Sequence, residues 1–394
     1  MTDNHPNKQQ ILSLLPGCNQ LSRQRIIFIL SSLRLGGSEN QAILLATHLR
    51  DVQNMDVEIW GFGQPERVSM YCEQLGIPWR SIPKPRVTSR RFIIPDLIRF
   101  TRTLYRAHPA ILMPCTLASN LACGLAWRFS GARLCVWNQK DEGKGIRPGR
   151  LLERFAIWLT PRFISNSNVG AEVVIKLGAP SQAVRVIHNG LIFRPPQANR
   201  ATWRTRLGAD DCLLICMVAN LSPYKDHATL LQAWQLFLEH YPEPTARLLL
   251  AGRQDAAFPE LKKLTIKLGI EDRVDFLGPV DDISGLLGAI DLGVYSSPSE
   301  GLPNAVIETM AAGLPIIATD IPGIREAIGD DSEIQLAPAN NPEVLATRLL
   351  TLANDPKQRT ILGERNHQRA LEQFHPDRMF SQTVEFLCQS MSRL

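Results

Sequence analysis

Apolar residues fall in short blocks along most of the chain. Between the blocks lie longer segments whose apolar positions recur every three or four residues. Blocks bounded by turn residues read as buried strands, and the longer periodic segments read as helices. The strand-like blocks are 25–30, 57–62, 79–83, 110–115, 133–139, 162–167 and 184–190, then 213–219, 246–252, 273–278, 292–295, 315–319 and 333–338. Strands and helices alternating in this way predict βαβ units and parallel sheets. Three closing segments, 342–352, 359–374 and 377–391, predict helices with no strand between them. Residues 1–24 are polar and aperiodic and read as a loose tail. Pro195-Pro196 opens polar sequence and puts a linker around 191–205.

A chain of 394 residues suits two domains of roughly 150–200 residues. The expected boundaries are 25–192 and 193–376, both α/β and Rossmann-like. Apolar content of 44% with 21% charged residues fits packed cores rather than disorder. The eight cysteines show no metal-binding spacing and fall largely in apolar runs, so reduced thiols and a cytoplasmic protein are expected. No signal-peptide pattern opens the sequence, and no apolar run approaches the roughly 20 residues of a membrane span.

Charge changes the picture. Residues 1–190 carry 24 Lys and Arg against 12 Asp and Glu, whereas residues 191–394 carry 19 against 26. A basic half joined to an acidic half implies different partners for each. The segment 86–106 interleaves Arg86, Arg90, Arg91, Arg99, Arg102 and Arg106 with apolar residues, and Arg147, Arg150 and Arg154 mark the segment 149–159. Such helices fit a solvated basic face or an anionic membrane surface, and the charge of the whole half favours a membrane surface or an anionic acceptor. Nucleic acid is not indicated, because no recognition module accompanies the charge.

Candidate chemistry centres on residues 297–313, a loop and then a helix between two strand-like blocks. Pro303 stands near the helix start and Gly313 just past its end, where a left-handed cap is favoured. The free N–H groups of a helix N-terminus suit phosphate. Glu300 lies in the loop, and Asn304 and Glu308 share a helix face. Carboxylates beside a phosphate cradle would repel it unless they accept hydrogen bonds from hydroxyls, so the pattern reads as a sugar-nucleotide site. Lys225, in the loop after the block 213–219, supplies a cation. Gly36 and Gly37 make a strand-to-helix turn that lets backbone approach a ligand, without the spacing of a nicotinamide dinucleotide site. Asn138, Gln139 and Asp141 end a strand where open α/β sheets place ligands, and fit ordinary loop polarity equally well.

The run Glu300-Gly301-Leu302-Pro303-Asn304, followed by Glu308 and by Met310-Ala311-Ala312-Gly313-Leu314-Pro315, strongly resembles retaining glycosyltransferases of family four. The resemblance implies the GT-B fold, two Rossmann-like domains facing across a cleft, with the last helix returning to the first domain near His375-Pro376. It implies that Glu308 accepts ribose hydroxyls and that Glu300 accepts hydroxyls of the transferred sugar. Lys225 and the N–H groups of residues 301–306 would neutralise the leaving diphosphate, with Arg253 helping. The loop of Val280 would touch the base through its backbone, and the loop of Gly36 and Gly37, which resembles a Gly-Gly-x-Glu loop, would lie between donor and acceptor. No metal or cofactor is implied: the nucleotide sugar is a co-substrate, and Glu300 is not a nucleophile. The acceptor would be a glycan or lipid-linked intermediate of cell-surface polysaccharide or lipopolysaccharide synthesis. It would be bound by the basic first domain of a protein peripheral to the inner face of the plasma membrane.

Two departures stand out. Met113-Pro114-Cys115-Thr116 occupies the place where the family often carries a His, and Asn220 stands where it carries an arginine. They leave open a noncatalytic nucleotide-sugar-binding subunit. An epimerase of the same fold and a membrane-surface scaffold are the other readings.

Overall fold

The computed structural model describes residues 20–86, 92–143, 151–192, 194–241, 245–329 and 332–392. The chain divides into two compact units, one made of residues up to Gly190 together with Asp377–Leu394, the other of Leu191–Pro376.

The first unit runs β1 (Arg25–Leu30), α1 (Gly37–Asp51), β2 (Asp56–Phe62), α2 (Arg67–Leu75), β3 (Trp79–Ile82), α3 (Ile93–Ala107), β4 (Ile111–Pro114), α4 (Leu117–Ala126), β5 (Leu134–Gln139), α5 (Leu151–Leu159), β6 (Arg162–Ser165), α6 (Asn168–Lys176) and β7 (Val184–Val186). Its sheet is parallel, in the order β3-β2-β1-β4-β5-β6-β7. Ile26, Phe28 and Leu30 enter one core cluster while Ile27 and Ile29 enter another, so helices cover both faces of β1. Burial on both faces is why these strands read as continuous apolar runs.

The second unit contains α7 (Arg200–Leu207), β8 (Leu213–Val218), α8 (His227–His240), β9 (Ala246–Ala251), α9 (Phe258–Leu268), β10 (Val274–Gly278), α10 (Ile283–Ala289), β11 (Leu292–Tyr295), α11 (Asn304–Ala311), β12 (Ile316–Thr319), α12 (Pro322–Ile328), β13 (Leu336–Ala337), α13 (Pro342–Ala353) and α14 (Pro356–Gln373). This sheet is also parallel, ordered β10-β9-β8-β11-β12-β13. Strand order reverses between β8 and β11, which is where an open α/β sheet binds its ligand, outside the carboxyl ends of the strands. The last helix, α15 (Pro376–Ser392), adds Met379, Phe380, Val384 and Leu387 to the first unit's core. There the His48 ring stacks on Phe380, with centroids 4.0 Å apart.

The structure corrects some expected bounds. The tail does not extend to residue 24: Leu21 is fully buried, and Arg23 N donates to Asn54 O at 2.8 Å. The block 162–167 ends as a strand at Ser165, because the Ser167 side chain accepts from Gly170 N and starts α6. The block 333–338 holds only a two-residue strand, since Glu333–Gln335 forms a tight helical turn. Residues 1–19, and Arg90, Arg91, Arg147 and Arg150, lie outside the described residues. The Cys115 and Cys216 thiols are both pushed up to about 12 by burial, and such thiols are unreactive. Among the described residues, no helix is long and apolar enough to cross a membrane.

Candidate functional site

Because β8 and β11 are neighbours, the loops leaving their carboxyl ends meet. The first makes the turn Pro223–Lys225, and the second carries Glu300. Lys225 Nζ forms an ion pair with Glu300 Oε1, both side chains being partly buried. Ser296 Oγ donates to Asp226 O at 2.8 Å and locks one loop to the other. Asp226 holds a left-handed backbone, φ 49°, while its carboxylate caps α8 by accepting from Thr229 N. A non-glycine residue in that region is strained backbone beside a candidate site.

Helix α11 begins immediately after the loop. Pro303 is the residue before the first turn rather than within it, and no side chain caps the N-terminus. The first-turn N–H groups of a helix have no intrahelical acceptor, so an uncapped N-terminus is open to an anion. Two close approaches hold this end in place. Tyr295 Oη donates to Ala305 O at 2.8 Å, anchoring α11 on β11. A Cβ on Gly323 would lie 1.8 Å from the Gly301 carbonyl oxygen, so the start of α12 packs directly under the loop. The Leu302 side chain is in the core, which leaves its backbone as the part available to a ligand.

Glu308 stands one turn into α11, on the face of Asn304. Burial pushes its carboxyl up to about 7, against the opposing charge of Arg194. The folded state therefore holds the Glu308 proton more tightly than the unfolded chain does. Its burden on stability is absent below about pH 4.5, grows as pH rises, and is complete above about 7. Glu308→Gln is expected to match wild type in urea unfolding near pH 4 and to exceed it by roughly 1–3 kcal/mol at pH 8. Equal stability at both pH values would mean that the side chain is well solvated.

The remaining residues of the second unit hold one another. Arg253 N donates to Asn220 Oδ1 at 3.1 Å, and Leu221 N donates to Arg253 O at 2.8 Å. Asn220 thus uses its oxygen structurally and keeps its amide N–H groups to donate. A Cβ on Gly252 would lie 2.1 Å from Ala219 O, so the ends of β8 and β9 nearly touch. Val280 is partly buried, packed against the cluster of Leu286 and Leu287.

The other candidates belong to the first unit. Gly36 and Gly37 begin α1 at the carboxyl end of β1, again without a side-chain cap. Asn138 and Gln139 are buried and engaged: Asn138 Nδ2 donates to Pro114 O at 2.9 Å, Trp137 Nε1 donates to Gln139 Oε1 at 3.0 Å, and Gln139 Nε2 donates to Asp141 Oδ1 at 2.8 Å. Sequence reasoning missed the residue between them. Lys140 is partly buried and has no carboxylate partner among the described residues; its Nζ lies 3.4 Å from Asn189 Oδ1. Burial holds its amine below the usual lysine range. A lysine after a strand looks like loop polarity, and only its burial singles it out.

Two parallel Rossmann-like units, one bearing an uncapped helix N-terminus flanked by a lysine and two carboxylates, define the GT-B class of fold. The chain belongs to the group 1 glycosyltransferases of family four. Residues 199–369 match the family model "Glycosyl transferases group 1", and residues 35–192 match "Glycosyltransferase Family 4". An uncharacterized glycosyltransferase of Haemophilus influenzae is 33% identical over 144 residues, covering 36% of this chain and 40% of that protein. A D-inositol 3-phosphate glycosyltransferase of Streptomyces bingchenggensis is 29% identical over 243 residues, covering 58% of this chain and 53% of that one. The chain spans about half the length of the curated relatives it matches. Among solved structures, Anabaena Alr3699/HepE in complex with UDP and glucose superposes with a TM-score of 0.80 at 21% identity, over 94% of this chain and 100% of that one.

Proposed function

We propose that the protein is a metal-independent, retaining glycosyltransferase that moves a sugar from a nucleotide-sugar donor to a glycan or lipid-linked acceptor. The observation that carries this reading is the ion pair of Lys225 with Glu300 beside the uncapped start of α11. In this reading the donor diphosphate takes Lys225 and the N–H groups at the start of α11, and the transferred sugar offers its hydroxyls to Glu300. Glu308 accepts the ribose hydroxyls. Charge grows on the departing diphosphate, and fixed donors stabilise it in the transition state. That neighbours such as the Anabaena protein were solved with UDP supports a uridine nucleotide as the first donor to test. The acceptor belongs to the basic first unit, in cell-surface polysaccharide or lipopolysaccharide synthesis, with the protein peripheral at an anionic inner membrane face.

A thermal-shift screen against UDP-, GDP-, ADP- and dTDP-sugars tests the donor site. One nucleotide is expected to raise the melting temperature of wild type, and Glu308→Ala to abolish the rise. No rise with any of the four would shift the reading to a noncatalytic subunit that needs a partner. The missing His and the presence of Asn220 are what favour that second reading.

A further inference from the structure

Helices α3, α4 and α5 cover one face of the first unit's sheet: Phe100, Leu104, Leu121, Ala122, Ala156 and Ile157 share a single buried cluster. Their outward sides are not wholly polar. Ile94, Ile98 and Tyr105 on α3, and Leu151, Phe155 and Trp158 on α5, are exposed. Trp158 is 70% exposed, whereas Trp60, Trp127, Trp137 and Trp234 are buried. The rings of Phe155 and Trp158 stack with centroids 5.7 Å apart, and together with Arg154 and Leu177 they line an open groove. Apolar surface of this extent on a folded unit marks something that covers it.

Charge says what covers it. Among the described residues, the exposed charged groups on these helices and on the turn after α4 are Arg99, Arg102, Arg106, Arg128 and Arg154. The acids of the same elements, Asp96 and Glu153, are buried, and Asp96 is held by Arg86 at 2.7 Å. Every exposed charge is therefore positive, and on α3 Arg99, Arg102 and Arg106 form a row beside the exposed apolar row of Ile94, Ile98 and Tyr105. Nucleic acid would meet the arginines and leave the aromatic wedge in water. A bilayer with anionic headgroups meets both, because tryptophan and phenylalanine settle at the headgroup level while arginines reach the phosphates.

We propose that the outer face of α3–α5 docks on an anionic lipid bilayer, with Phe155 and Trp158 inserted among the headgroups. This deepens the peripheral membrane contact of the proposed function and rests on it. Binding then has two separable parts, one sensitive to salt and one not.

Sedimentation of the full chain with phosphatidylcholine vesicles, with and without phosphatidylglycerol, tests the proposal. Wild type is expected to pellet with the anionic vesicles only. Joint substitution of Arg99, Arg102 and Arg106 by Gln should weaken binding roughly 100-fold at low salt, about fivefold per arginine. The Phe155→Ser and Trp158→Ser pair should weaken it roughly tenfold or more at low and high salt alike. Tryptophan emission should shift to shorter wavelength on adding anionic vesicles, and Trp158→Phe should remove that shift. No pelleting of wild type, or unchanged binding of both variants, overturns the proposal. So does a dimer of the free protein that Trp158→Ser disperses, since the face then belongs to a second copy. Donor-induced thermal shifts stay at the wild-type value in all these variants, which separates failure here from failure of the donor reading.

Discussion

Lys225→Met is expected to lower kcat by about 10²–10³. In the proposed reading the lysine is the cation in the loop after β8, and Asn220 offers a neutral amide where a second cation would otherwise add. Loss of one preorganised donor from a site where charge develops costs roughly 3–4 kcal/mol of transition-state stabilisation. In the free protein the Lys225 ammonium is neutralised by Glu300, so in the proposed reading the donor diphosphate draws it away. Lys225→Met leaves Glu300 unpaired and partly buried, which should lower stability by about 1 kcal/mol. That loss is small beside the kinetic one, so steady-state kinetics and urea unfolding together separate chemistry from folding. Lys225→Arg keeps the charge and should recover part of the rate. Wild-type kcat in Lys225→Met would remove the lysine from the chemistry.

Gly323→Val is expected to be the most damaging change outside the charged groups. Its Cβ would fall 1.8 Å from the Gly301 carbonyl oxygen and 2.4 Å from that of Glu300. Both obstacles are backbone, so neither can swing aside as a flexible side chain would. Either the loop bearing Glu300 moves, or the start of α12 separates from it. Overpacking of this kind costs about 1–3 kcal/mol or more. The displaced loop should weaken donor binding roughly 100-fold, since misplacement by about 1 Å is enough to disable a site. Calorimetric titration with the donor, read beside urea unfolding, checks both effects. Gly288→Ala serves as the control, because nothing lies within 4 Å of its added Cβ. It should leave donor binding unchanged and, lying within α10, should not destabilise. Unaltered donor affinity in Gly323→Val would show that the loop position is not what the site needs.

The fold was readable because its strands are buried on both faces. The block 292–295 coincides with β11, and the order of strands and helices follows the alternation of apolar runs. Ends were harder, because they depend on single hydrogen bonds such as the one from Gly170 N to Ser167. At the site, Glu300, Glu308 and Lys225 could be named from residue type and spacing, but the pairing of Lys225 with Glu300 could not. That contact joins residues 75 apart in the chain, and it arises because β8 and β11 are neighbours in the sheet. Gly323 was invisible for a similar reason: nothing in Ile321-Pro322-Gly323 tells which carbonyl it faces. Trp158 sits in a segment whose arginines mark it as amphipathic, but within Phe155-Ala156-Ile157-Trp158-Leu159 only the packing shows which residues turn outward.

The membership of α15 in the first unit bears on how the chain is made. Most of the first unit is translated before the second, yet Met379, Phe380, Val384, Leu387 and Met391, which complete its core, follow the whole of the second. The second unit, continuous from Leu191 to Pro376, can fold during synthesis as soon as it leaves the ribosome. The first must wait with part of its apolar surface uncovered, so a nascent chain stalled before residue 377 presents that surface to chaperones. For these two units, order of synthesis and order of completion are thereby reversed.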